Sequence, residues 1–223
     1  MKCEARPMGR LLCGFLLGAM LAGVACADTI TDTLFAERVF STLPEGQEIR
    51  YALVRSGPDA PGFRPVTDGS IVVNKPTDNA PKLSLSLVTD GRSQTLADFS
   101  AEGGNPVLLI FLESVVQNMA SLTGGSPFYI HNRIKDALGA GGTPTDVSET
   151  YADQTVLAQS VTLLPFEADP NADKMGDFAG LTLRLVVSAA VPGNIVSLSA
   201  DTPDPDSGYH ETIRLLGQGR ASE

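Results

Sequence analysis

Six consecutive apolar residues, Val107 to Leu112, constrain this chain more than any other feature. Asn105 precedes them as a helix N-cap, Pro106 suits the first helical position, and Gly124 sits where a left-handed stop would end the helix. A helix that is apolar all round has to be covered all round, so its first half is expected inside the fold. Its second half gains a polar arc from Glu113, Ser114, Gln117, Asn118 and Ser121, while Val115, Val116, Met119 and Leu122 continue the apolar face. The run is too short to span a bilayer, and Glu113 interrupts it. Ser126 and Pro127 repeat the cap-plus-proline device, and Ile130, Ile134, Ala137 and Leu138 give a second helix its inner stripe. Residues 105–138 therefore read as a helical hairpin, hinged at Gly124-Gly125, that closes one side of a sheet. A sharper reading brings Glu113, His131, Asn132 and Arg133 into a polar pocket near the hinge.

The remaining chain reads as strands and turns. Thr31 to Ser41 predicts a short amphipathic helix with Leu34, Phe35 and Val39 inward. Ile49, Tyr51 and Leu53 then alternate with polar neighbours, Asp68 to Lys75 forms a second strand, and Leu83, Leu85 and Leu87 alternate in a third. Asp90-Gly91 signals a hairpin that returns through Ser93 to Leu96. Beyond the helices, Gly139 to Thr145 reads as a flexible connector, Gln154 to Phe166 as a long strand and Glu167 to Gly180 as a polar loop. Leu181 to Val187 and Ile195 to Ala200 are strands joined through Val191-Pro192-Gly193-Asn194. A last strand runs from Tyr209 to Leu216, before a frayed tail from Gly217 to Glu223. The order is a helix, about four strands, two helices and about four strands, joined by short turns that favour an antiparallel meander. The expected class is α+β: a curved, half-barrel-like antiparallel sheet wrapped over a central helical hairpin, with a short N-terminal helix.

The first 27 residues read as an export signal. Lys2, Arg6 and Arg10 supply the positive region, Leu11 to Val24 the apolar core, and Ala25-Cys26-Ala27 a small-x-small cleavage site. Residues 28–223 would then form a single periplasmic domain. The competing reading is a lipoprotein acylated at Cys26, against which Gly23 stands where such signals prefer leucine. All three cysteines lie within this segment, so its removal leaves no thiol for disulfides, metal ligation or nucleophilic catalysis. The chain carries 16 basic and 26 acidic residues, a formal net charge of −10, and no basic cluster. Nucleic acid and anionic membrane surfaces are poor partners for that field.

Few motifs carry chemistry. The chain has 2 histidines, His131 and His210, so a three-histidine zinc site is impossible. No Walker loop, GxGxxG or GxSxG occurs, and Ser126, the serine nearest His131, is better placed as an N-cap than as a nucleophile. Asp169, Asn171, Asp173 and Asp177 start like a calcium loop but meet Lys174 where glycine is needed and Gly180 where a bidentate glutamate is needed. Asp201, Asp204 and Asp206 form a second acidic cluster, and both clusters read as solvated turns. Arg133 and Arg184 suit rim ion pairs or the anionic group of a ligand. Neither a metal nor a cofactor is expected.

Two resemblances add to this reading. Gly104-Asn105-Pro106-Val107-Leu108-Leu109 with Gly124-Gly125-Ser126-Pro127 and Asn132-Arg133-Ile134 resembles a group of exported alphaproteobacterial proteins without assigned activity. The order of elements is similar to the periplasmic lipoprotein-carrier family, with Gly69-Ser70-Ile71-Val72-Val73-Asn74-Lys75-Pro76 similar to its early strands and the segment from Asn105 similar to its first inner helix. That likeness implies an incomplete barrel closed over helices, holding a lipid or acyl chain. The expected function is non-catalytic binding of a lipid or other apolar molecule between sheet and helices, lined by Phe111, Val115, Met119, Phe128 and Ile130 with Arg133 beside them. The alternative is an envelope interaction or structural module with a filled core, partnered by another envelope protein. A hydrolase built around His131 comes third.

Overall fold

The computed structural model describes residues 30–77 and 81–220. The export signal, the cleavage site and Cys26 lie outside them. The described elements are α1 (Ile30–Leu34), β1 (Gln47–Ser56), β2 (Val66–Asn74), β3 (Lys82–Thr89), β4 (Arg92–Ser100), α2 (Pro106–Thr123), α3 (Pro127–Ala140), β5 (Thr145–Tyr151), β6 (Gln154–Leu163), β7 (Thr182–Val187), β8 (Ile195–Asp201) and β9 (His210–Arg220). Two short 3-10 turns, Ala172–Lys174 and Gly176–Gly180, lie between β6 and β7.

All nine strands join one open antiparallel sheet in the order β4-β3-β2-β1-β9-β8-β7-β6-β5. Each half is a meander of neighbouring hairpins. The helical hairpin separates the halves in sequence, and β9 returns to pair with β1 at the centre. Period-2 alternation puts one apolar stripe on one face. The stripe crosses the sheet through registered pairs: Leu85 opposite Val73, Val73 opposite Ile49, Leu53 opposite Ile213, Ile213 opposite Leu198, and Leu198 opposite Leu185. All of these are buried.

The hairpin lies on that face. Asn105 caps α2 by accepting the Val107 amide at 2.9 Å, and its own amide group donates to the Gly193 carbonyl at 2.7 Å and the Tyr51 hydroxyl at 3.2 Å. One side chain therefore starts the helix and fixes it to β1 and to the β7–β8 turn. Gly193, at φ +75°, leaves no room for a side chain, because a Cβ there would stand 2.8 Å from the Asn105 amide nitrogen and from Phe40. Gly124, at φ 70°, ends α2 with its amide bonded to the Ala120 carbonyl.

Three local expectations are corrected. The N-terminal helix stops at Leu34 rather than Ser41, since Arg38 takes φ 60° and donates its amide to Gly103; Phe35 consequently turns outward. The stretch after α3 holds β5, paired to β6 through a tight turn in which Ala152 and Asp153 both have positive φ. The last strand continues through Arg220, carried by pairing with β1, so only residues 221–223 of the expected frayed tail lie outside the described chain. The sheet therefore has five strands after the hairpin rather than four.

Candidate functional site

The two faces of the helical hairpin differ sharply. Toward the sheet, Val107, Phe111, Val115 and Met119 of α2 and Ile130 and Ile134 of α3 are buried in the core. Beneath α2 this packing is interrupted by a polar cluster. Arg55 of β1 donates to the Ser114 hydroxyl at 3.0 Å, Ser114 donates to Glu211 Oε2 of β9 at 2.8 Å, and the Tyr209 hydroxyl donates to the same oxygen at 2.6 Å. Arg55 also stands 3.6 Å from that carboxylate, which is 1% exposed. Burial pushes the Glu211 carboxyl up, and the Tyr209 and Ser114 hydrogen bonds and the Arg55 charge only partly offset it.

The end of the hairpin is fixed by a second cluster. Tyr129 and Arg133, one turn apart on α3, both reach Asp169: the Tyr129 hydroxyl lies 2.8 and 2.9 Å from its two oxygens and Arg133 Nε lies 2.7 Å from Oδ2. The Asn171 amide donates to Oδ1 at 2.8 Å. Burial pushes the Asp169 carboxyl up, but the Asn171 amide, the Tyr129 hydroxyl and the Arg133 charge outweigh it, and the group titrates below its ordinary value. Asp169 thus ties α3 to the loop that follows β6, with both oxygens engaged by protein groups. No group of three or more metal-ligating side chains occurs among the described residues. Arg184 donates to Ser160 on the neighbouring strand.

Away from the sheet the hairpin is open. Leu109 is 58% exposed in the middle of the run whose pattern calls for cover on every side. A groove of about 660 Å³ runs between α2 and α3 here, walled by Leu109, Leu112 and Val116 of α2, Ile134 and Leu138 of α3, and Phe35 from the turn after α1. Phe35, itself 49% exposed, reaches the groove because α1 ends early. Glu113 on α2 and His131 and Lys135 on α3 also border it. Its volume lies within the usual range of small-molecule sites, roughly 300–1,000 Å³. Among the described residues α2 is the one helix long and apolar enough by composition to cross a membrane, and its inner side is buried against the sheet.

The residues singled out from sequence distribute across these environments. Glu113 and His131 share the groove. Arg133 is turned to Asp169, and Asn132 is half-buried outside the groove lining, so the four do not converge on one pocket. Phe111 and Val115 are fully buried in the core. Met119 and Ile130 border a smaller cavity of about 290 Å³ at the hinge, with Thr123, Tyr129, Asn171 and Met175. Phe128 is 76% exposed at the start of α3. The His131 side chain makes no hydrogen bond or ion pair among the described residues. Sequence reasoning missed Leu109 and Phe35 as groove residues and Arg55, Tyr209 and Glu211 as a cluster. The unbroken apolar run itself was the signal for the first of these, because one side of it had no partner to cover it.

Comparison with known proteins adds little. No protein-family model matches the chain, and no curated protein matches it. Among solved structures the chain is similar to the lipoprotein LppX of Mycobacterium tuberculosis, with 8% sequence identity, 79% of this chain and 88% of that chain covered, and a TM-score of 0.32. A likeness of that strength carries no conclusion about function.

Proposed function

We propose that this is an exported periplasmic protein that binds a lipid or other apolar molecule without transforming it. The observation that carries this reading is the open apolar groove along the outer side of the helical hairpin. Leu109 stands exposed with Phe35 along a cleft whose other apolar walls are half-buried or buried, and an apolar cleft of this size can take a small apolar molecule. The sheet supports the reading by acting as a half-barrel-like backing: Asn105, Ser114 and Asp169 hold the hairpin on it, so the groove is built on rigid elements. In this account residues 28–223 form one domain released by cleavage of the first 27. Phe111, Val115, Met119 and Ile130, expected to line a concavity between sheet and helices, are buried in the core and do not line this groove.

The test is native mass spectrometry of the protein purified without detergent from the envelope of its own source. A discrete added mass that vanishes on organic extraction, and is recovered as a lipid in the extract, is the expected result. A clean apo mass with no uptake when lipids are returned would defeat this reading. The weight would then move to an envelope interaction module whose partner covers the same patch.

A further inference from the structure

The rim of the groove carries charge of both signs on opposite banks. The charges are Glu113 on α2 and Lys135 on α3, and the His131 ring lies one turn before Lys135. Glu113 accepts one hydrogen bond, from Gln117 on its own helix at 2.7 Å. The Lys135 and His131 side chains make no hydrogen bond or ion pair among the described residues, and among those residues no ion pair closes across the groove. Rim charges that face one slot and leave each other unpaired suit a group bringing a positive and a negative charge together. The remaining walls are apolar and lead away from this rim toward Leu109, Leu138 and Phe35.

At about 660 Å³ and open along one side, the groove has room for a long acyl chain.

Resting on the apolar-binding reading above, we propose that the occupant is a single-chain zwitterionic amphiphile, with its ammonium toward Glu113 and its anionic group toward Lys135 and His131. A lysophospholipid with an ethanolamine head has this chemistry. The acyl chain provides most of the affinity, since each buried methylene tightens binding about fourfold. The head group sets the orientation and adds selectivity of about fivefold, because exposed ion pairs are individually weak.

The experiment is a calorimetric titration of the purified protein with three amphiphiles matched in chain length and each taken at several lengths, kept below their micelle concentrations: lysophosphatidylethanolamine, lysophosphatidylglycerol and monoacylglycerol. The zwitterion is expected to bind about fivefold more tightly than the neutral lipid, with the anionic one between them. In the double variant Glu113→Gln with Lys135→Gln, all three are expected to bind alike, at the wild-type affinity for monoacylglycerol. Equal binding of the three heads by the wild type, with affinity still rising with chain length, would overturn the head-group inference and leave the apolar site standing. Strongest binding of the anionic lipid would overturn it in favour of a plain anion site. Failure of all three to bind at any chain length would overturn the apolar-site reading itself.

Discussion

The inner and outer sides of the helical hairpin are built from similar residues but have opposite fates. On the inner side Phe111, Val115 and Met119 are buried against a registered apolar stripe. On the outer side Leu109 stands exposed, and Leu112 and Leu138 of the same two helices are half-buried along a groove. Hydrophobicity alone does not distinguish them, because transfer from water is non-directional and depends only on what lies opposite. The difference teaches that the sheet uses up one face of each helix and that the other is left for a partner molecule.

The largest expected effect comes from deleting one side chain on each face. Phe111→Ala should cost about 4 kcal/mol in urea unfolding, through lost burial and a residual cavity. Leu109→Ala should change stability by no more than about 0.5 kcal/mol. Similar losses at the two sites would erase the distinction.

The polar cluster under α2 comes next. Glu211→Ala should destabilise by about 2 kcal/mol, because it leaves Arg55 and Tyr209 facing a gap in a buried site. The pH dependence has a defined sign. Between the ordinary 4.5 and its raised folded value, Glu211 is protonated in the folded chain and ionised in the unfolded one. The folded state then binds more protons, so stability falls as pH rises through that window, and Glu211→Gln should abolish this slope.

At the other end of the hairpin the sign reverses. Asp169 is held below its ordinary 3.8, so its contribution is present above that value and is lost as pH falls through the lowered one. Tyr129→Phe removes the one hydroxyl proton shared between the two oxygens of that carboxylate and should cost about 1 kcal/mol at neutral pH. Thermal unfolding across an acid series would show both trends, and a single monotonic slope would contradict the assignment.

Much of the fold was legible because its signals are local. Asn105-Pro106, Gly124 and Ser126-Pro127 mark the ends of both helices, and Asp90-Gly91 marks the β3–β4 turn, where both residues take positive φ. The β5–β6 turn was illegible for the converse reason: Ala152-Asp153 adopts the same kind of turn without glycine. The candidate site was only half legible. Periodicity places Glu113 and His131 correctly on their helices, but it does not say which side of an all-apolar helix finds cover. That depends on where the sheet lies and on α1 ending at Leu34. The Arg55–Ser114–Glu211 cluster joins residues 59 and 97 positions apart, which no local pattern reveals.

The most direct test of the central claim is to locate the bound chain. A lysophospholipid with a photoactivatable diazirine near the end of its acyl chain would be bound, irradiated, and its covalent sites mapped by peptide mass spectrometry. The account predicts labelling around Leu109, Leu138 and Phe35, with loss of label in Leu109→Arg while that variant keeps wild-type stability. Labelling confined to the edge strands or to the outer face of the sheet, or undiminished labelling in Leu109→Arg, would contradict it.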